Sequence, residues 1–120
     1  MKTQITKAGD TVTISMDGHL DYENQEPFRD DLQKLIKETR TDSAPKKIIF
    51  NLERLEFVGS SGISAFVQTL KDFNSNAPTK PRYCHVKSEF KKVIKAFDGE
   101  EQFEFFENED RARKGPESNN

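Results

Sequence analysis

Hydrophobic and polar residues alternate near the start of this chain, and short apolar runs follow further on. Val12, Ile14 and Met16 alternate with polar residues, a pattern that predicts a half-buried strand. Asp17 and Gly18 then predict a tight turn before a short second strand. Three later runs also predict strands, namely residues 48–52, 82–86 and 102–106. The first of them is nearly continuously apolar, which indicates a central strand covered on both faces.

Between these runs, apolar residues recur at the three- and four-residue spacing of amphipathic helices. The predicted buried faces consist of Phe28, Leu32, Leu35 and Ile36 in the first helix, Ile63, Phe66, Val67, Leu70 and Phe73 in the second, and Phe90, Val93, Ile94 and Phe97 in the third. Ser88 is expected to cap the third helix. Residues 107–114 predict a short polar fourth helix, and the proline-containing segments 40–47 and 74–81 predict loops.

Strands that alternate with helices in this way predict an α/β fold. We expect a mixed β-sheet of four to five strands packed with about four helices. A length of 120 residues suits one domain with a modest core. The domain is expected to occupy residues 1–115, and residues 116–120 are expected to form a disordered C-terminal tail.

Composition excludes several classes of function. The 19 Lys and Arg nearly balance the 21 Asp and Glu, so the chain lacks the basic field that direct nucleic-acid binding needs. No apolar run is long enough for membrane insertion, and the N-terminus does not resemble a signal peptide, which predicts a cytoplasmic protein. A single cysteine, Cys84, excludes an internal disulfide and a cysteine-based zinc site. The two histidines are distant in sequence, so no metal or cofactor is expected.

The sequence Gly59-Ser60-Ser61-Gly62 lies between the predicted central strand and the second helix. A hydrolase nucleophile elbow needs glycine two residues before and two residues after the serine. Neither serine has both glycines, and the two histidines offer no clear catalytic base. The sequence therefore predicts that the protein is not an enzyme.

Three other interpretations of this motif stay open on residue types alone. Backbone amides at a helix start can bind a phosphate group, although the lysine of a Walker motif is missing. Either serine can cap the helix, which contributes about 1 kcal/mol. An exposed serine at this place can also accept a phosphate from a kinase, and the phosphate adds about −1.5 to −2 charges.

Three segments of the chain resemble the STAS domain family, especially the bacterial anti-sigma factor antagonists. The segment NLERLEFVGSSGISAFVQTLKDF resembles the family's central strand, its Asp-Ser-Ser-Gly motif and the helix that follows. DGHLDYENQEPFRDDLQKLI resembles the family's Gly-x-Leu-Asp motif and first helix, and CHVKSEFKKVIKAFDGEEQFEFFENEDRA resembles its last elements. The resemblance covers about residues 10 to 113 and implies a single STAS domain.

The resemblance implies a protein that switches between partners. In the family, an antagonist binds an anti-sigma factor that is also a serine kinase and so frees a sigma factor for transcription. The kinase phosphorylates the antagonist, which releases it, and a metal-dependent serine phosphatase restores it. Carried over by position, Ser61 is the phosphoacceptor. The implied partner-binding residues are Asp21, Gly59, Ser60, Ser61 and Gly62.

The chain departs from the family at Gly59, where an aspartate is usual. This change removes a negative charge and a capping acceptor beside the implied phosphorylation site. It favours an alternative in which the domain is a scaffold or accessory interaction module that works without phosphorylation. A small enzyme that uses Ser60 or Ser61 is the third hypothesis, and the missing base counts against it.

Overall fold

The computed structural model describes residues 2–20, 25–39, 45–57, 60–77, 79–97 and 103–115. Within these ranges the chain forms one five-stranded sheet and four helices. The strands are β1 (Lys2–Ala8), β2 (Thr11–Leu20), β3 (Lys47–Phe57), β4 (Arg82–Cys84) and β5 (Glu104–Phe106). The helices are α1 (Gln25–Thr39), α2 (Ser60–Asn76), α3 (Ser88–Phe97) and α4 (Glu109–Lys114). The predicted tail at 116–120 and the predicted helix end at Asp98 and Gly99 lie outside the described residues.

The strands lie in the sheet in the order in which they occur along the chain. β1 and β2 pair antiparallel, whereas β2, β3, β4 and β5 pair in parallel. The sheet is therefore mixed, and the predicted α/β fold class is confirmed. Because β2 and β3 run in parallel, their carboxyl ends meet at one edge of the sheet, where Leu20 is paired with Phe57.

The main core fills one face of the sheet, between the strands and the helices α1, α2 and α3. Phe50 of β3 lies near its centre, with no exposed surface. Its ring stacks on Tyr83 with a centroid separation of 4.9 Å and meets the edge of Phe73 at 5.3 Å. Phe66 of α2 stacks on Phe28 of α1 at 5.2 Å. Aromatic side chains from both strands and helices thus hold this layer together.

A second, smaller cluster lies on the opposite face, beneath α4. It contains Ile49, Cys84 and Ala112, with Phe106 packed against it. Ile48 and Ile49 are both fully buried although they are neighbours in β3. Successive side chains of a strand point to opposite faces, so β3 is covered on both faces here, as its apolar run predicts.

Two differences from the sequence predictions concern the first hairpin. The predicted turn at Asp17 and Gly18 is wrong, because β2 continues through both residues to Leu20. The register between β2 and β3 shifts between Ser15 and Asp17, and Gly18 has a φ of 117°, so the glycine serves an irregular strand rather than a turn. The hairpin is instead formed with β1, which the sequence did not predict. Gly9, with a φ of 61°, lies in its turn.

The ends of several elements also differ from the predictions. β3 runs five residues beyond Leu52, whereas β4 and β5 are shorter than predicted. α2 continues through Asn74 to Asn76, so the predicted loop at 74–81 begins too early. The amide of Lys91 donates to the carbonyl oxygen of Lys87 at 2.8 Å. Lys87 therefore precedes the first turn of α3 at the N-cap position, and the prediction that Ser88 caps this helix is wrong.

Candidate functional site

The two serines of the Gly-Ser-Ser-Gly motif are the first two residues of α2. The helix begins at Ser60, and β3 ends at Phe57. Ser60, Ser61 and Gly62 therefore lie in the first turn of a helix that directly follows the longest strand of the sheet. Gly59 lies outside the described residues, and so does Asp21.

Both segments of the predicted site leave the sheet at the same edge. β2 ends at Leu20, β3 ends at Phe57, and these two residues are paired. Asp21 is the next residue of the chain after Leu20, and Ser60 follows three residues after Phe57. The parallel pairing of β2 and β3 brings the ends of these two strands to one edge of the sheet.

α2 is fixed to the sheet by the apolar side chains that its sequence pattern predicts. Phe66, Val67, Leu70 and Phe73 are at most 2% exposed and belong to the main core. Ser64, one turn after the helix start, is exposed. Packing over several turns gives the start of α2 a rigid support, because the energy of most protein helices comes from such a buried face.

A contact between a histidine and a glutamate crosses the same edge of the sheet. His19 Nε2 lies 2.9 Å from Glu56 Oε2, and the two side chains are 65% and 56% exposed. The residues are cross-strand neighbours, next to the last pair of β2 and β3. The sequence interpretation considered His19 as a catalytic base and as a metal ligand, and it missed this contact. It was not visible because the pairing depends on the register of two strands that are distant in sequence.

A groove opens between the end of β3 and the start of α3. Its volume is about 510 Å³. Four apolar side chains form its floor, and three charged side chains form its rim. The floor contains Leu52, Leu55, Phe90 and Val93, and the rim contains Glu56, Lys87 and Glu89. The groove therefore begins within a few residues of the β3–α2 junction, which the sequence did not predict.

The other candidate groups are the thiol of Cys84 and the side chains that could bind a metal. Cys84 is buried, and burial raises the pKa of its thiol to about 12, with a further increase from the carboxylates of Glu109 and Glu53. A thiol with such a pKa is a poor nucleophile at neutral pH. In the part of the chain that the structure describes, no three His, Cys, Asp or Glu side chains are grouped as metal ligands. No helix there is long and apolar enough to cross a membrane.

The mixed sheet, with three helices over one face and α4 over the other, defines a single α/β domain. The family model of the STAS domain matches residues 2–112, and the chain belongs to this family. The family predicted from the sequence is thereby confirmed. No curated protein matches the chain significantly in sequence.

Several solved structures share the fold over nearly the whole chain. The unphosphorylated anti-sigma factor antagonist SpoIIAA is 23% identical, with a TM-score of 0.64, and the match covers 94% of each chain. Its phosphorylated form, a Bacillus cell fate determinant, gives a TM-score of 0.60 at 23% identity, over 91% of this chain and 95% of the other. These identities show a common fold and no more.

Two further structures share this fold. A single-residue variant of RsbS from Moorella thermoacetica is 13% identical, with a TM-score of 0.69, and the match covers 95% of this chain and 93% of that chain. The murine anion transporter Slc26a9 is 18% identical, with a TM-score of 0.65. That match covers 90% of this chain but 18% of the transporter. The fold therefore occurs both as a separate protein and as one part of a membrane transporter.

Proposed function

We propose that this protein is an anti-sigma factor antagonist that changes partners when Ser61 is phosphorylated. The observation that carries the proposal is the place of Ser61 in the first turn of α2, at the sheet edge where β2 and β3 end. Family membership and the fold shared with SpoIIAA support it. In this role the protein acts in the cytoplasm, catalyses no reaction and regulates transcription through protein partners.

A phosphate in the first turn of α2 has a clear physical effect. The helix dipole and the amides at the helix start favour a negative charge, so the modified domain is expected to stay folded. The same charge disrupts a partner surface that packs against this edge, because it must be desolvated and repels neighbouring carboxylates. The proposed partners are a serine kinase that is itself an anti-sigma factor and a phosphatase that removes the phosphate.

The first prediction concerns the site of modification. Incubation with ATP and the kinase-type anti-sigma factor of the same organism is expected to add one phosphate to Ser61. Intact-protein mass spectrometry gives the number of phosphates, and peptide fragmentation gives their position. Ser61→Ala is expected to abolish the modification, whereas Ser64→Ala, at an exposed serine one turn further along α2, is expected to leave it unchanged.

Two results would argue against this assignment. Modification of Ser61→Ala at the wild-type level would remove Ser61 as the acceptor. Loss of modification in Ser60→Ala alone would move the site to the preceding serine.

The second prediction concerns partner binding. Ser61→Asp is expected to weaken binding of the anti-sigma factor at least tenfold, about 1.4 kcal/mol. The thermal midpoint should change little, because the helix dipole favours a negative charge in the first turn of a helix. Isothermal titration calorimetry measures the affinity, and Ser64→Asp is the matched control. Wild-type affinity in Ser61→Asp would contradict the switch, and a large loss of thermal stability would instead assign the serine a structural role at the start of α2.

A scaffold that binds partners without phosphorylation is the second candidate function. Gly59 favours it, because the usual aspartate before the two serines is missing. The occurrence of the fold in an anion transporter also fits a general interaction module. A partner that binds the wild type, Ser61→Ala and Ser61→Asp equally well, together with no phosphorylation by any kinase-type anti-sigma factor of the organism, would support the scaffold.

A further inference from the structure

Within the part of the chain that the structure describes, the C-terminal half of β3 pairs with a strand on one side. β4 pairs with β3 over Ile49, Phe50 and Asn51 alone, whereas β3 continues to Phe57. The chain leaves the sheet after Cys84, where His85 adopts a φ of 56°. Among the described residues, no strand therefore pairs with residues 52–57 on the side of β4. At about 3.3 Å per residue, this open edge is about 20 Å long.

The open edge is held in strand conformation from its other side. Arg54 to Phe57 pair with Asp17 to Leu20 of β2. Two residues beyond the last pair of the β4 ladder, the amide of Glu53 donates to Asn51 Oδ1 at 3.0 Å. Asn51 is fixed in turn, because its Nδ2 donates to Glu109 Oε2 at 2.7 Å. The β4 ladder thus ends at a defined residue, and the edge that follows is a preformed template for another strand.

The groove between β3 and α3 lies beside this edge. Its floor is formed by Leu52 and Leu55 from β3 and by Phe90 and Val93 from α3. The rim carries two carboxylates, those of Glu89 and of Glu56, which also contacts His19, and one ammonium group, that of Lys87. We call residues 52–57 with this groove the β3 notch. A backbone edge next to an apolar pocket is the arrangement with which proteins bind extended peptides by strand addition.

We propose that the β3 notch binds an extended segment of a partner protein, which adds to the sheet as a strand beside β3. The backbone of the segment pairs with the open edge, and one apolar side chain of the segment enters the groove. The excess of carboxylates at the rim selects a lysine or arginine next to that apolar residue. This surface is separate from the phosphorylation of Ser61 and goes beyond the function proposed above.

The test uses the full chain labelled with ¹⁵N and a synthetic hexapeptide of alternating valine and arginine. We expect saturable NMR shifts at the amides of residues 52–57 and at the start of α3, and slower hydrogen exchange in the same stretch. A second peptide has its two central residues replaced by proline, which has no amide to donate to a strand ladder. This peptide is expected not to bind.

Charge reversal at the rim provides the matched variants. Glu89→Lys is expected to weaken the alternating peptide at least tenfold, whereas Glu107→Lys, at an exposed glutamate outside the notch, should leave its affinity unchanged. Equal binding of both peptides, shifts at other residues, or no saturable shift up to the solubility of the peptide would overturn the proposal. Concentration-dependent shifts at residues 52–57 in the free protein would assign the notch to a second copy of the chain and would also overturn it.

Discussion

Replacing Phe50 with alanine is expected to lower the free energy of unfolding by about 3–5 kcal/mol. Phe50 has no exposed surface, and its ring packs against Tyr83 at 4.9 Å and Phe73 at 5.3 Å. The substitution removes apolar surface from the core and leaves a cavity between β3, β4 and α2. Because a domain of this size has a stability of about 5–15 kcal/mol, the loss is a large fraction of the total. Urea denaturation followed by circular dichroism measures it.

Two further variants make this measurement decisive. Phe106→Ala changes the same residue type where the ring is only half-buried, beneath α4, and we expect a clearly smaller loss. Phe50→Leu keeps most of the volume and provides a measurable value if the alanine variant does not fold. A loss below about 1 kcal/mol in Phe50→Ala would contradict the central role that the aromatic contacts give to this residue.

Replacing Arg82 with alanine is expected to loosen α4 and to destabilise the protein by about 2 kcal/mol. Arg82 Nη1 donates to the carbonyl oxygens of Ala112 at 2.8 Å and Arg113 at 3.2 Å. These carbonyl groups lie in the last turn of α4. The last carbonyl groups of a helix receive no hydrogen bond from within the helix, and a positive charge is favourable there. α4 has six residues and buries only Ala112, so it depends strongly on this contact.

The reaction rate of the Cys84 thiol shows whether α4 stays packed on the sheet. Cys84 is fully buried in the cluster that contains Ala112, and the pKa of its thiol is raised to about 12 by burial. At pH 8 the native protein should therefore react very slowly with an aromatic disulfide reagent, and Arg82→Ala should react at least tenfold faster. Arg111→Ala, at an exposed arginine of α4, is the matched control and should react like the wild type. An unchanged rate in Arg82→Ala would mean that Arg82 does not hold this helix in place.

The sequence predicts the helices better than the ends of the strands, for physical reasons. Phe66, Val67, Leu70 and Phe73 repeat at helical spacing and are all buried, so α2 was visible in the pattern. β1 contains one large apolar residue, Ile5, which is 40% exposed. Backbone pairing with β2 forms this strand, and such pairing leaves no hydrophobic pattern.

The irregular pairing of β2 with β3 explains a further error. Between two successive pairs of the ladder, β3 advances by three residues, from Asn51 to Arg54, while β2 advances by two. Leu52 and Leu55 are therefore both buried although they are three residues apart. This spacing breaks the period of two, and the predicted strand therefore stopped at Leu52.

Asn74 and Asn76 were interpreted as loop residues. In α2, Asn74 accepts a hydrogen bond from the Tyr83 hydroxyl at 2.7 Å, and Asn76 donates to the Asp72 carbonyl oxygen at 2.8 Å.

The candidate site was predictable as a motif but not as a surface. The Gly-Ser-Ser-Gly sequence marked the passage from a strand to a helix, although α2 already begins at Ser60, inside the motif. The contact between His19 and Glu56 and the groove beside β3 depend on the pairing of distant strands, which a single sequence does not reveal. The role of Ser61 as phosphoacceptor came from the family resemblance and stays a prediction.

The order of the strands in the sheet has a consequence for how the protein folds during and after its synthesis. Because β1 to β5 lie side by side in chain order, each strand finds its neighbour already synthesised when it emerges. No strand has to enter between two earlier ones, so the sheet can grow outward from its N-terminal hairpin. Strand pairings between chain neighbours keep the sequence separation of contacts small, and folding is faster in topologies with more local contacts.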